Sequence, residues 1–193
     1  MARPREFDKT VALGQAMNVF WSRGYEATSL SDLLSAMELS KSSFYDTFGS
    51  KHDVFLATIE HYKKTISAQI SGIADLDAPA RKLIEGMFEK AASRMTEKGG
   101  QRGCYLNNCA VDVSLRDPEA AKLIHSGIAI MENTFLSLIE RGQQEGDIAA
   151  GKNALSLARY LTSSLNGIMV TGKFNPDRDV LSDIGKTSLM VLD

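Results

Sequence analysis

Three polar residues, Lys41, Ser42 and Ser43, follow one another at the start of a short segment with helical spacing. Their ammonium and hydroxyl groups can hydrogen-bond to base edges in the major groove of DNA. Phe44 and Phe48 are four residues apart and would anchor the opposite, apolar face of the same helix. This pattern predicts a recognition helix that presents polar side chains to DNA while its apolar face stays packed.

The overall charge requires that any DNA binding be local. The chain has 22 Lys and Arg against 24 Asp and Glu, a formal net charge of −2. Tyr45 lies off the anchored face, where its hydroxyl could reach a backbone phosphate. Predicted helix starts at Thr28, Ser40 and Ser50 could also direct unpaired backbone N–H groups toward phosphates, which needs no net positive charge.

Thiol chemistry is confined to two cysteines, Cys104 and Cys109. Their spacing matches no zinc pattern, and two cysteines are too few for a disulfide framework, which fits a reducing compartment. Cys104 lies beside Arg102 at the start of a predicted helix, and both features favour the reactive thiolate. Cys104 is therefore the redox candidate; the alternative is a buried thiol that only fills the core.

Other catalytic or metal-binding patterns were not found in the sequence. His52 and His61 are nine residues apart and His125 stands alone, so we predict no metal site. The sequence contains no GxSxG, P-loop, dinucleotide-binding or HExxH motif. We therefore predict no cofactor and no catalytic residues, and nothing supports the alternative of a small helical enzyme.

Helical periodicity extends through almost the whole chain. Asp8, Ser29 and Ser40 stand where they can cap three short helices, and Gly24 can end the first of them. About six more helical segments follow without a convincing strand pair, which predicts an all-α fold of about nine helices. The first helix shows the spacing at Leu13, Ala16, Met17 and Phe20.

The element order predicts two domains. Residues 1–50 would form a three-helix helix-turn-helix domain for DNA binding, and residues 51–193 a C-terminal effector-binding and dimerisation domain. A long helix over 50–72 would connect them. The chain lacks the roughly 18 uninterrupted apolar residues of a membrane span, and its first nine residues lack a secretory core. We therefore expect a cytoplasmic protein with no membrane partner.

Two segments, Ala27–Leu33 and Leu39–Lys51, resemble the N-terminal signature of the TetR family of transcriptional regulators. The resemblance covers about residues 8–60 and is densest directly before the long helix. In that family the C-terminal helices form a ligand pocket and a dimer interface. The resemblance implies phosphate contacts by Thr28, Tyr45 and Lys51, and base contacts by Lys41, Ser42 and Ser43.

Two residues depart from the family pattern. The family usually has Gly where Glu38 stands in the turn, and a left-handed conformation there would cost a non-Gly residue about 1 kcal/mol. Asp46 places a negative charge on the recognition helix, which disfavours phosphate but could accept a hydrogen bond from cytosine N4. Glu38 and the neutral charge are the arguments for a further alternative, a helical interaction module that does not bind DNA.

The C-terminal half contains candidates for an effector site. Arg102–Ala110 resembles the Gly-Cys segment that opens the sixth helix in one TetR subgroup, some of whose members sense electrophiles through cysteine. Adaptable methionine side chains and a few aromatic or polar groups would suit an apolar or aromatic effector. The alternative is an ordinary core. The candidate lining residues are Met87, Phe88, Met95, Cys104, Asn108, Met131, Phe135 and Met169.

The last two predicted helices are apolar over wide arcs, which suits a two-fold four-helix bundle with two helices from each subunit. An intramolecular core is the alternative. The predictions combine into a homodimeric repressor that binds a palindromic DNA operator and is released by a small effector or by cysteine modification. The predicted dimer interface comprises Leu157, Leu161, Ser164, Leu165, Ile168, Leu181 and Ile184.

Overall fold

The computed structural model describes residues 7–70 and 72–193. Within these residues it contains nine α-helices, three short 3-10 turns and no β-strand, which confirms the predicted all-α class. None of these helices is long and apolar enough to cross a membrane. Residues 1–6 and Ser71 lie outside the described residues. Residues 1–6 belong to the predicted DNA-binding domain and to the N-terminal stretch in which we found no secretory signal, and Ser71 belongs to the predicted connecting helix. The helices are α1 (Lys9–Arg23), α2 (Leu30–Met37), α3 (Lys41–Phe48), α4 (Lys51–Ile70), α5 (Ala80–Thr96), α6 (Tyr105–Val113), α7 (Pro118–Glu145), α8 (Ala154–Phe174) and α9 (Arg178–Leu189).

Side-chain caps begin the first three helices where the sequence predicted them. The Asp8 carboxylate accepts two backbone N–H groups from the first turn of α1. Ser29 and Asp32 form a reciprocal capping box at α2, and hydrogen bonds from the Ser29 side chain and backbone lower the pKa of Asp32 to about 2. The Ser40 hydroxyl accepts the Ser43 N–H at α3. Each cap pairs backbone donors that a first helical turn leaves free.

The turn between α2 and α3 keeps its left-handed geometry without a glycine. Glu38 has φ 54° and ψ 39°, and it is the only non-glycine with positive φ in the described part of the chain. The Leu39 N–H donates to the Leu34 carbonyl at 3.1 Å and closes α2. Glu38 therefore adopts a conformation that costs about 1 kcal/mol but leaves the helix-turn-helix intact.

Two apolar clusters form the interior. One lies among α5, α7, α8 and α9. The other joins α1 to α4 with α6 and the first part of α7, so Tyr105 and Leu106 share a cluster with Phe44 and Phe55. The helix-turn-helix unit therefore shares an apolar core with α6 and α7, in addition to being connected to them along the chain. The predicted domain boundary at residue 50 stays a prediction.

Candidate DNA-binding face and effector cavity

The first turn of α3 presents polar side chains outward. Lys41 and Ser42 are exposed and Ser43 is half-buried, whereas Phe44 and Phe48 are buried against the neighbouring helices. The hydroxyls of Ser42 and Ser43 lie 3.1 and 2.9 Å from the hydroxyl that caps this helix. The structure thus brings the three predicted base-contacting residues together on one surface, with two aromatic anchors behind them.

The three predicted phosphate-contacting residues lie in different environments. Tyr45 is 45% exposed, and its ring extends from the surface of α3. The Lys51 ammonium lies 4.4 Å above the Tyr25 ring, a cation–π contact at the start of α4. Thr28 is only 1% exposed, and its hydroxyl donates to the Gly24 carbonyl at 2.6 Å. The Thr28 hydroxyl is therefore buried and bonded to the end of α1, so its predicted phosphate contact is the least accessible of the three.

Two further charges lie on or beside α3. Lys9 of α1 places its ammonium 5.3 Å from the Phe48 ring, so a cation from a different helix stands next to the recognition helix. Asp46 is exposed on α3 itself. Sequence reasoning missed Lys9, since no local pattern indicates which face of α1 lies beside α3.

A cavity of 130 Å³ lies among α4, α5, α7 and α8. Four of the eight predicted effector-lining residues line it: Met87, Cys104, Met131 and Met169. Three of the four are methionines, whose unbranched side chains adapt to the shape of a ligand. The cavity thus has the apolar, adjustable walls that the sequence led us to expect, built from fewer of the named residues.

The other four predicted lining residues lie outside this cavity, and their part in an effector site stays a prediction. Met95 and Phe135 are fully buried in the cluster among α5, α7 and α8. Phe88 borders a separate cleft between α5 and α9. Asn108 borders a cleft beside α1, where its side-chain oxygen accepts a hydrogen bond from Lys173. The reason is that α5 and α7 are buried on more than one face, and periodicity does not say which face borders a cavity.

Sequence reasoning missed the polar part of the lining. Tyr62 of α4, Lys90 and Arg94 of α5 and Asn166 of α8 all border the cavity. Lys90 and Arg94 are one helical turn apart, a spacing visible in the sequence, but nothing in it indicated a cavity on that side. Burial raises the pKa of Tyr62, so its hydroxyl stays protonated and donates to the Cys104 sulfur at 3.8 Å.

The two thiols differ in access. Cys104 is half-buried, occupies the position directly before α6 and borders the cavity. Cys109 is buried, and burial raises the pKa of its thiol to about 12. Because the thiolate is the reactive form, Cys109 is unreactive at neutral pH. Arg102 was expected to lie beside the Cys104 thiol. Its guanidinium lies 4.8 Å above the ring of Trp21 in α1.

Two polar contacts join the end of α1 and the start of α4 to α6 and α7. The Tyr25 N–H donates to the Asp112 carboxylate at 2.8 Å, and His52 Nε2 lies 2.8 Å from Asp117. Burial raises the pKa of Asp117, but hydrogen bonds from the Ala120 N–H and from His52 outweigh it, so the net pKa is lowered. A lowered carboxyl pKa stabilises the folded state above the ordinary carboxyl pKa, and that contribution is lost as the pH falls.

Known protein families match both halves of this chain. Residues 12–58 match the bacterial regulatory proteins of the tetR family, and residues 80–186 match the tetracyclin repressor-like C-terminal domain. The chain belongs to the TetR family. The resemblance of the N-terminal segment to the TetR family is thereby confirmed, and the family match also includes the C-terminal helices.

Relatives in the TetR family match the chain along its whole length. The uncharacterized HTH-type transcriptional regulator YezE of Bacillus subtilis is 31% identical over 194 residues, with 100% of both chains covered. The HTH-type transcriptional repressor ComR of Escherichia coli is 27% identical over 97% of this chain and 90% of its own. A cysteine mutant of the TetR family regulator CifR, solved with 26-bp double-strand operator DNA, has a TM-score of 0.87 at 29% identity and covers 99% of this chain and 100% of that chain. The protein is therefore a transcriptional regulator and not an enzyme.

Most of the predicted dimer residues of this TetR-family chain are buried within the subunit, and the position of a dimer interface stays a prediction. Ser164 and Ile184 are half-buried. The other five pack inside the chain against α5 and α7, so they are not available to a second subunit. The sequence pattern identified an apolar face on each helix, but that face belongs to the subunit's own core. The buried residues are Leu157, Leu161, Leu165, Ile168 and Leu181.

A second face of α8 remains uncovered. We call it the α8 stripe: Tyr160, Ser163, Gly167, Val170 and Phe174, all exposed. Their separations of three, four, three and four residues place them on one side of the helix. This face carries small and apolar residues that nothing in the described part of the chain covers.

Proposed function

We propose that this chain is a homodimeric repressor that binds a palindromic DNA operator through α3 and is released by a small effector in the cavity. The observation that carries the proposal is the exposed polar start of α3 at Lys41, Ser42 and Ser43, held by two buried phenylalanines. In a two-fold dimer, two such helices would enter successive major grooves roughly 34–36 Å apart, so the operator would be palindromic. The name of ComR as a repressor and the CifR complex with operator DNA support the same mechanism.

The α8 stripe supports the dimer. Ser163 and Gly167 are small and would let a second helix approach closely, while Tyr160, Val170 and Phe174 supply apolar area around them. Two helices from each subunit would then form a four-helix bundle, as in other two-fold helical dimers.

Helix α4 supports control of DNA binding by the cavity. It begins directly after α3, and its later residues Tyr62 and Ile66 line the cavity. An effector that binds better to a conformation with the wrong spacing of recognition helices would lower operator affinity. The coupling is reciprocal, so operator DNA would lower effector affinity by the same factor. The methionine walls favour an effector with an apolar or aromatic part.

We expect Tyr45→Phe to weaken binding to all DNA sequences about tenfold. A phosphate contact carries no sequence information, and a dimer would lose two hydrogen bonds worth about 0.5–1.5 kcal/mol each. Fluorescence anisotropy at two salt concentrations measures the affinity, with an operator obtained by selection from a random double-stranded pool. Unchanged affinity of this variant would contradict the proposed contact.

Two serine variants complete that experiment. Ser43→Ala should change the bases preferred in the selection, because Ser43 is assigned to base edges. Ser137→Ala removes an exposed serine hydroxyl from α7 and serves as the matched control. It should leave both affinity and base preference unchanged.

Cysteine modification is a second route of release, favoured by the position of Cys104 on the cavity wall beside the Tyr62 hydroxyl. The Cys104 thiol would add across the activated C=C bond of an electrophile in the cavity. An S–C bond forms, the C=C π bond breaks, the thiol proton goes to the neighbouring carbon, and the adduct displaces the Tyr62 hydroxyl. Because Tyr62 belongs to α4, the displacement would act on the helix that connects cavity and DNA-binding unit.

We expect N-ethylmaleimide to modify one thiol per chain at neutral pH and to weaken operator binding about 5- to 150-fold, the usual range of allosteric coupling. Mass spectrometry counts the adducts and anisotropy measures the binding. Cys104→Ser should abolish both effects, whereas Cys109→Ser, the matched control at a buried thiol, should abolish neither. Release of DNA by maleimide from the Cys104→Ser protein would rule this route out.

A further inference from the structure

The cavity is positively charged. Lys90 and Arg94 border it, and its lining within the described residues includes no Asp or Glu. Lys90 is exposed and Arg94 is half-buried. Every ion pair within residues 7–70 and 72–193 involves other side chains, so neither cation is paired with a carboxylate there.

Arg94 borders the cavity and also lies beside an aromatic ring of α1. Its guanidinium carbon is 6.0 Å from the Trp21 ring. Burial raises the pKa of Tyr62, and the nearby Arg94 charge opposes that effect. A half-buried guanidinium with several free donors is suited to bidentate recognition of a carboxylate.

Much of the remaining cavity lining is apolar. It includes Met87, Met131, Leu165 and Met169, and the side chains of Gln69 and Asn166 add polar groups. The volume of 130 Å³ is close to that of an engineered cavity of about 150 Å³ that binds benzene. The site therefore has room for one ring or a short alkyl chain beside a charged end.

We propose that the effector is a small organic monocarboxylate, bound through its carboxylate to Arg94 with Lys90 as a second cation, and through its apolar part to the methionine walls. This inference rests on the proposed function, because it assigns a ligand class to the same cavity. A neutral apolar molecule would leave the Arg94 donors without an acceptor, whereas a carboxylate supplies one.

Trp21 provides a readout of binding that does not need DNA. It is the only tryptophan of the chain. Its ring is 5.1 Å from the Tyr62 ring in an edge-on contact, and it faces the Arg94 guanidinium. A carboxylate that draws Arg94 toward the cavity changes the surroundings of the indole, so binding changes the tryptophan fluorescence.

The experiment compares charged and neutral probes of similar shape on the full-length protein. Benzoate is compared with benzamide, and hexanoate with hexanamide. Tryptophan fluorescence measures binding to the wild type, and calorimetry measures binding to the wild type and to every variant. We expect each carboxylate to bind about tenfold or more tightly than its amide. Arg94→Gln should remove that preference and leave amide binding unchanged, and Arg94→Lys should retain part of it.

Lys82→Gln, an exposed lysine on α5 away from the cavity lining, is the matched control and should change nothing. Thermal melts of each variant verify that it is folded. Equal binding of carboxylate and amide, or benzoate binding that Arg94→Gln leaves intact, would overturn the carboxylate assignment. Carboxylate binding that leaves operator affinity unchanged would support the assignment and contradict the proposed control of DNA binding, so the two failures are distinguishable.

Discussion

Gly167→Arg is expected to convert the protein to a monomer and to lower its operator affinity on the order of 100-fold, because two linked half-site contacts become independent. Gly167 is exposed in the centre of the α8 stripe, and a Cβ placed there would meet no atom within 4 Å. A long charged side chain therefore fits the subunit alone. It would block the close approach of a second α8 helix.

The chain offers a matched control for this substitution. Gly86 is also an exposed helical glycine, on α5, and a Cβ there would likewise meet nothing within 4 Å. Gly86→Arg adds the same side chain outside the stripe, so it should keep both the dimer and the operator affinity. Light scattering coupled to gel filtration measures the mass, and anisotropy the affinity. A Gly167→Arg protein that remains dimeric would contradict the assigned interface.

Leu161→Ala tests whether the dimer forms through the α8 stripe or through the residues that the sequence predicted, of which Leu161 is one. Leu161 is fully buried inside the subunit, so truncating it should destabilise the fold by about 2–5 kcal/mol while the folded protein still dimerises. Leu161→Ala is therefore compared directly with Gly167→Arg. Gly167→Arg should leave the stability of the subunit unchanged but prevent dimer formation.

Tyr105→Ala is expected to lower the free energy of unfolding by about 3–5 kcal/mol, the usual cost of truncating a buried aromatic residue. Tyr105 of α6 is 1% exposed. Its ring lies 5.5 Å from Trp21 of α1 and 5.6 Å from Tyr62 of α4. The truncation would leave a cavity where the helix-turn-helix unit meets the C-terminal helices, so both units should unfold at lower denaturant.

Tyr105→Phe distinguishes packing from hydrogen bonding at this position. Burial raises the pKa of Tyr105, so its hydroxyl stays protonated, and it lies 2.8 Å from the Thr58 hydroxyl. Thr58 also donates to the Phe55 carbonyl at 2.6 Å, so it keeps a partner in the variant, and the loss should be only about 1 kcal/mol. Urea unfolding followed by circular dichroism at one fixed protein concentration measures both variants. A loss below about 1 kcal/mol in Tyr105→Ala would contradict the proposed packing.

The sequence by itself determined the helices, most of their starts and the recognition helix. Asp8, Ser29 and Ser40 cap backbone groups within three residues of themselves, so no distant part of the chain is needed to place those helices. Phe44 and Phe48 likewise define the packed face of α3 by spacing alone, which leaves its polar residues outside. These features depend on neighbours along the chain, and such neighbours are visible in a sequence.

Only the tertiary structure decided which helix faces meet one another. Leu161 and Gly167 lie on the same helix, and periodicity did not reveal that the first packs inside the subunit while the second faces solvent. The same holds for Phe135 and Met131 of α7, of which only the second borders the cavity. Arg94 borders the cavity because of how α5 packs against α7 and α8. A helix with apolar residues on two sides can bury either one, and the choice depends on contacts between residues far apart in the chain.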